Sequence, residues 1–376
     1  MKNILPRLLL ALFASSALLQ AQLSIPSDGS DGALNITANT VIDLSQAVTG
    51  TWDANNSANA GKGIFDPAKR AIVFKYSSVN INASRTVTFT NHPSRAPVVW
   101  LVQGTVAIAG TLSLNGSTPP FNNLLAEPGP GGFRGGANGA PGIGSGLGVG
   151  GGISPSIAGS YATTYGTHSV LPLVGGSGGH GGGAGGGAIL IAAANSISVT
   201  GSVTSVGGTT FSGSLGIGSG GAIRLVANSI SGTGTLDVRN DGRIRLEANS
   251  VSGNVVTLPQ TIAVPPATPP TIWPGNGAPT VKITNVDSSA APAVPTAPLD
   301  LTADVGVSTN GATTVTLQTT NFPTNGVVQV RAAPKFGTAT WTTAVFQSGD
   351  ATSANWTATV TFPTGFTTLQ ARATVP

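Results

Sequence analysis

Gly186-Gly187-Ala188-Ile189-Leu190-Ile191, closing on Ala194-Asn195-Ser196-Ile197-Ser198, returns as Gly220-Gly221-Ala222-Ile223-Arg224-Leu225 with Ala227-Asn228-Ser229-Ile230-Ser231. It returns again as Asp241-Gly242-Arg243-Ile244-Arg245-Leu246 with Ala248-Asn249-Ser250-Val251-Ser252. Asn228 and Asn249 are 21 residues apart, and self-similarity near that period marks a solenoid, in which one short supersecondary unit stacks on the next. Within each unit the apolar period is 2, so the elements are strands and not helices. Ile223 and Leu225 fall on one face and Arg224 on the other. The Ala-Asn-Ser element is expected to turn a corner before a second alternating strand. A single unit cannot bury its apolar face alone; stacking at about 4.8 Å pairs every strand with the units above and below. Asn195, Asn228 and Asn249 are then expected to stack as a side-chain ladder.

Working outward, Val106-Ala107-Ile108-Ala109-Gly110-Thr111-Leu112 matches Ile197 onward at a constant offset of 91 residues. Leu34 to Leu44 and Ala71 to Asn82 read as earlier units; the repeat domain is placed at 22–258, and 28–265, less its insert, is expected to make about eight units. Residues 117–185 interrupt the repeat with a glycine-dominated insert. A loop of this length is functional or disordered, and both remain open, as does packing through Phe121, Phe133, Tyr161, Tyr165 and His168. Residues 259–279 form a Pro-rich linker, a semi-rigid spacer. From 280 to 376 short alternating strands recur about every 10 residues, the pattern of a small antiparallel β-sandwich. The expected fold is therefore all-β: a parallel β-helix with a Gly-rich insert, then a small antiparallel β-sandwich.

Composition agrees. The chain has 376 residues, of which 40% are apolar and 8% charged, about a third of the usual charged share near 25%. It holds 53 Gly and 26 Pro. Abundant Val, Ile and Thr favour strands over disorder. Lys2 and Arg7 followed by the apolar run Leu8–Leu19 and the small residue Ala21 read as a secretory signal peptide over 1–21, too short to span a bilayer as a helix. Export places the protein outside the cell, at its surface or in the periplasm. There is no cysteine, hence no disulfide framework and no thiolate metal site. Seventeen cations against 13 carboxylates give +4; without Lys2 and Arg7 the balance is +2. So few cations on so long a chain make no basic patch, which excludes nucleic acid as a partner. No transmembrane segment is expected, and oligomeric state is not legible.

Motifs for chemistry are sparse. Gly176-Ser177-Gly178-Gly179-His180-Gly181 fits GxGxxG, but a glycine tract matches by chance and the acidic partner downstream is missing. Gly61-Lys62-Gly63 lacks the Walker spacing. His92, His168 and His180 lack metal-ligand spacing. No cofactor, metal ligand or catalytic residue is assigned. The one charged cluster is Arg224, Asp237, Arg239, Asp241, Arg243, Arg245 and Glu247, with Arg224 and Arg245 at equivalent outward positions. It is a candidate surface or carbohydrate site. Its plain alternative is a solvated, salt-bridged face that ends the stack and blocks edge pairing. The five tryptophans suit core packing, with sugar stacking as the other reading.

Gly-Pro-Gly-Gly-Phe133-Arg134-Gly-Gly, Gly-Gly-Ala-Ile223-Arg224-Leu225-Val-Ala and Gly-Arg243-Ile244-Arg245-Leu246-Glu247-Ala resemble Gly-rich secreted bacterial right-handed parallel β-helix proteins of the pectin-lyase-like kind. The tail, with Val281-Lys282-Ile283-Thr284 and Phe362-Pro363-Thr364-Gly365-Phe366, is similar to their Ig-like C-terminal domains. The resemblance implies architecture over most of 70–376, and no catalytic residue carries over. The function expected is a secreted or cell-surface structural or adhesive protein, with polysaccharide or other surface and matrix components as candidate partners. The alternative is a carbohydrate-binding or polysaccharide-cleaving β-helix, which would need paired carboxylates.

Overall fold

The computed structural model describes residues 22–119, 125–139, 142–153, 162–163, 165–210, 216–296, 302–308 and 310–376. The expected signal peptide, Phe121 and Tyr161 lie outside them. The chain is all-β: the helical elements among the described residues are two short 3-10 turns, Leu44–Gln46 and Ser57–Asn59.

Each repeat unit contributes a strand to each of two sheets. The first sheet has nine strands; its backbone is Ala71–Ile81, Val98–Val102, Ala188–Val199, Ala222–Gly232 and Arg243–Gly253, side by side and parallel. The second has six: Thr40–Asp43, Thr86–Thr90, Thr111–Ser113, Ser202–Thr204, Thr235–Asp237 and Val256–Leu258, again parallel. Pairing follows the 91-residue offset, with Val106 opposite Ile197 and Leu112 opposite Val203.

Register places like on like. Ile72, Val98, Ile189, Ile223 and Ile244 make one inward column; Phe74, Trp100, Ile191, Leu225 and Leu246 make the next. Val87, Leu112, Val203 and Leu236 answer from the second sheet, and all join one buried core. Each inward Ile or Leu contributes roughly 1.5–3 kcal/mol by leaving water. The aromatic pair Tyr76–Trp100 meets edge to face at 5.7 Å.

Two expectations change, while the bend expected at Ala-Asn-Ser is present. The strand runs on from Ala222 to Gly232, yet the inward set Ile223, Leu225, Ala227 and Ile230 shifts phase at Asn228, and the matching stretch two units earlier divides into Val98–Val102 and Val106–Ile108. The chain turns at Gly232-Thr233-Gly234, where Gly232 has φ +124° and a Cβ would lie 1.9 Å from the Val199 carbonyl. The asparagine ladder links Asn249 Nδ2 to Asn228 Oδ1 at 2.9 Å but skips Asn195. One extra residue lies between Ala193 and Ser196 relative to Ala227 and Ser229, and the slip throws Asn195 out to solvent. The face opposite the core is also not solvated. Val73, Val99, Leu101, Leu190, Ala192 and Val226 are buried there under Ile272, with Leu23, Ile25, Trp52, Leu173 and Trp273 packed on top. The linker and the chain from residue 22 form this cover together with Trp52 and, from the insert, Leu173.

The last hundred residues make two antiparallel sheets over a second core. Thr280–Val286, Ala312–Thr320, Ser353–Thr361 and Val345–Gly349 form one with Ser289–Ala290; Thr340–Thr343, Val327–Pro334 and Thr367–Thr374 form the other. Leu317, Val328, Val330 and Trp356 lie between them.

Candidate functional site

The charged cluster divides between the two sheets. Glu247 stands on the outer side of the first sheet, where register sets Arg224 beside Arg245 and Val226 beside Glu247. Arg224 is 2% exposed and Glu247 5%. Arg224 Nη2 lies 2.9 Å from Glu247 Oε1, and Arg245 Nε donates to the same oxygen at 3.2 Å. Arg224 also donates to the Thr271 carbonyl of the linker at 2.7 Å. Burial pulls the Arg224 guanidinium below its usual range, and Glu247 only partly offsets this. The expected solvated face is thus a buried Arg224–Glu247 pair with half-buried Arg245 at its rim, beside the surface that Ile272 and Trp273 cover.

Asp237 sits across the core on the second sheet. It accepts from Arg239 Nε at 2.9 and 3.0 Å and caps the Arg239 amide at 3.0 Å. Asp241 is exposed in a left-handed turn, φ +63°, after Asn240 at +68°. Arg243 opens its strand beneath Tyr165 and Gly166. Glu247 and Asp237 thus belong to different sheets, and each is held by arginines of its own side.

Other carboxylates hold the chain itself. Asp31 accepts from Asn56, Gly61 and the Lys75 amide; Asp28 receives the Lys75 ammonium at 3.1 Å. Asp66 ties Trp52, Ala68 and Lys69. Glu127 bridges Arg95 and Arg134, both at 2.9 Å. Burial opposes its ionisation, but the two guanidiniums and Asn91 outweigh that and hold its carboxyl below the usual range. Among the described residues no group of three or more acidic or His side chains converges as a metal site. His168 is exposed, while burial lowers the pKa of His92 and His180.

The most organised feature is one that side-chain reasoning missed. Along 183–188 the amides bond outward to three neighbours in rotation. Gly183 and Gly186 donate to the carbonyls of Gly216 and Ser219; Ala184 and Gly187 to Ser117 and Leu114; Gly185 and Ala188 to Phe133 and Pro130. Each neighbour is met every third residue, the period of a polyproline II helix, which has no internal hydrogen bonds to compete. Such strands come close only without side chains. A Cβ would lie 1.8 Å from the Gly208 carbonyl at Gly183, 1.9 Å from that of Gly176 at Gly185 and 1.7 Å from that of Gly187 at Gly221. The GxGxxG string belongs to the same lattice, since a Cβ at Gly178 or Gly179 would strike the carbonyl of Arg134 or Gly216. Its glycines serve chain packing and not phosphate.

The lattice also receives the tail. Arg331, fully buried, donates to the carbonyls of Gly146, Gly148 and Gly151 at 2.8–3.2 Å and to Gln370. Burial pulls this guanidinium down to about 10. Gly144 pairs with Gly337 as a parallel bridge, and the Ala339 amide donates to Ser145 Oγ at 2.8 Å. Leu147 packs against Ala333 and Ala339, with Phe133 and Phe366 beside them.

Compared with protein-family models, curated proteins and solved structures, the chain matches none. No helix among the described residues is long and apolar enough to cross a membrane.

Proposed function

We propose that this is an exported structural or adhesive protein of the cell surface or extracellular matrix, built on a parallel β-solenoid with an Ig-like β-sandwich at its end. The observation that carries the reading is the glycine lattice. One rotating set of hydrogen bonds ties the repeat units, the insert and, through Arg331, the tail into a single rigid framework. Rigidity over a long apolar core suits a scaffold that presents a surface. The solenoid reading is supported by the alternation of strands between two parallel sheets around a common core. Export is supported by the n-region and apolar run before Ala21.

Polysaccharide cleavage is the competing function. The test is a turnover screen of the purified chain on acidic and neutral polysaccharides, alongside cell fractionation. The scaffold reading expects the protein in the surface or culture fraction and no turnover. Turnover abolished by Arg245→Ala would overturn it.

A further inference from the structure

The outer side of the last two repeat units carries more positive charge than its one carboxylate answers. Outward columns pair Ala188, Ala222 and Arg243, then Leu190, Arg224 and Arg245, then Ala192, Val226 and Glu247. Three arginines thus stand near one carboxylate, with Arg224 and Arg245 about 4.8 Å apart across strands and Arg243 two residues, about 6.6 Å, along from Arg245. Glu247 is used up by Arg224 and Arg245.

Arg243 is left over. In the two preceding units its column holds Ala188 and Ala222, closed beneath Val170 and Leu173. In the last unit a guanidinium fills the place, and its Nε and Nη1 are buried without an acceptor. The buried hydroxyl of Tyr165 beside it makes no well-formed hydrogen bond, approaching only Ser177, and Nη1 of Arg224 has no partner. Above lies Gly166, exposed at φ +99°, so close that a Cβ there would come within 2.6 Å of Arg243 Nη1. Every orphaned group here can donate. Arg243 as a whole is half-buried, but donors shut away from water without an acceptor are costly, and one anion would satisfy them through charge-assisted bonds.

We propose that Arg243 and Tyr165 bind a small oxyanion, a carboxylate or sulfate, with Arg224 and Arg245 supplying further positive charge. The ion is free or is carried by an acidic sugar. The site stands independently of the scaffold function.

The full chain is melted at constant ionic strength against rising formate, sulfate or trigalacturonate, with Arg243→Met and Tyr165→Phe in parallel. The melting temperature of the wild type is expected to rise and saturate with at least one of them. Arg243→Met loses the saturable rise, and Tyr165→Phe weakens binding about tenfold, the worth of one hydrogen bond. A trimer that binds more tightly than formate identifies an acidic saccharide; equal binding identifies the free ion. No saturable rise with any of the three, or the same rise in Arg243→Met, overturns the site. Where Arg243→Met does not fold, calorimetric titration of the wild type decides: heat of binding upholds the site, and none with any of the three overturns it.

Discussion

Gly183→Ala tests whether the glycine lattice holds the fold. The new Cβ would lie 1.8 Å from the Gly208 carbonyl, and ordinary contact begins at 3.4 Å. The strands must part by the difference, 1.6 Å. That displacement breaks three bonds: Gly183 to Gly216 at 2.8 Å, Gly208 to Ala184 at 2.8 Å and Gly218 to Gly208 at 2.9 Å. At about 1 kcal/mol net for each bond, and about 1–3 kcal/mol for overpacking, the loss comes to roughly 4–6 kcal/mol. A domain has only about 5–15 kcal/mol in all. The control is Gly311→Ala, where nothing lies within 4 Å, and a change within about 0.5 kcal/mol is expected. Urea unfolding of both variants gives the comparison. A loss under about 1 kcal/mol in Gly183→Ala would refute the close packing of these strands.

Other outcomes follow from the same contacts. Ile223→Asp places an unpaired charge in a fully buried column and is expected to cost more than about 4 kcal/mol; an unchanged melting temperature would mean Ile223 does not face inward. Arg331→Ala strands three insert carbonyls. A loss of about 2–4 kcal/mol is expected, along with faster proteolysis within 259–279. Arg331→Lys should not restore the contact, since an ammonium lacks the planar fork. Glu127 sets part of the acid limb. Its carboxyl pKa is depressed in the folded chain, so the unfolded chain binds more protons as pH falls through the ordinary glutamate range, and the stability it contributes is lost by the time pH passes below the depressed folded pKa. In Glu127→Gln that part of the slope disappears; an unchanged acid limb would exclude the Arg95 and Arg134 pairing as its source.

The parallel strands were legible because inward and outward residues alternate in plain view. Ile223-Arg224-Leu225 and Ile244-Arg245-Leu246 announce both the period and the register. The sandwich strands at 312–320 and 353–361 announce themselves likewise. What was hidden depends on distant chain. Arg224 looks solvent-facing until Thr271 and Ile272, some 47 residues on, close over it. Asn195 looks like a ladder member until the extra residue before it is counted. The glycine lattice was least visible, because a residue with no side chain carries no sign of its neighbour. Gly183 and Gly208 look alike whether they touch or float free. The cluster Arg224, Arg243, Arg245 and Glu247 was found by charge alone, but its division from Asp237 and Arg239 required the two sheets.

Amide hydrogen exchange along 183–188 in the full chain tests the framework most directly. Each of these amides is bonded to a neighbouring segment at 2.6–3.0 Å, so protection is expected to match that of 222–227 in the sheet. Exchange at the rate of an unstructured glycine loop would contradict the lattice and the rigid scaffold built on it.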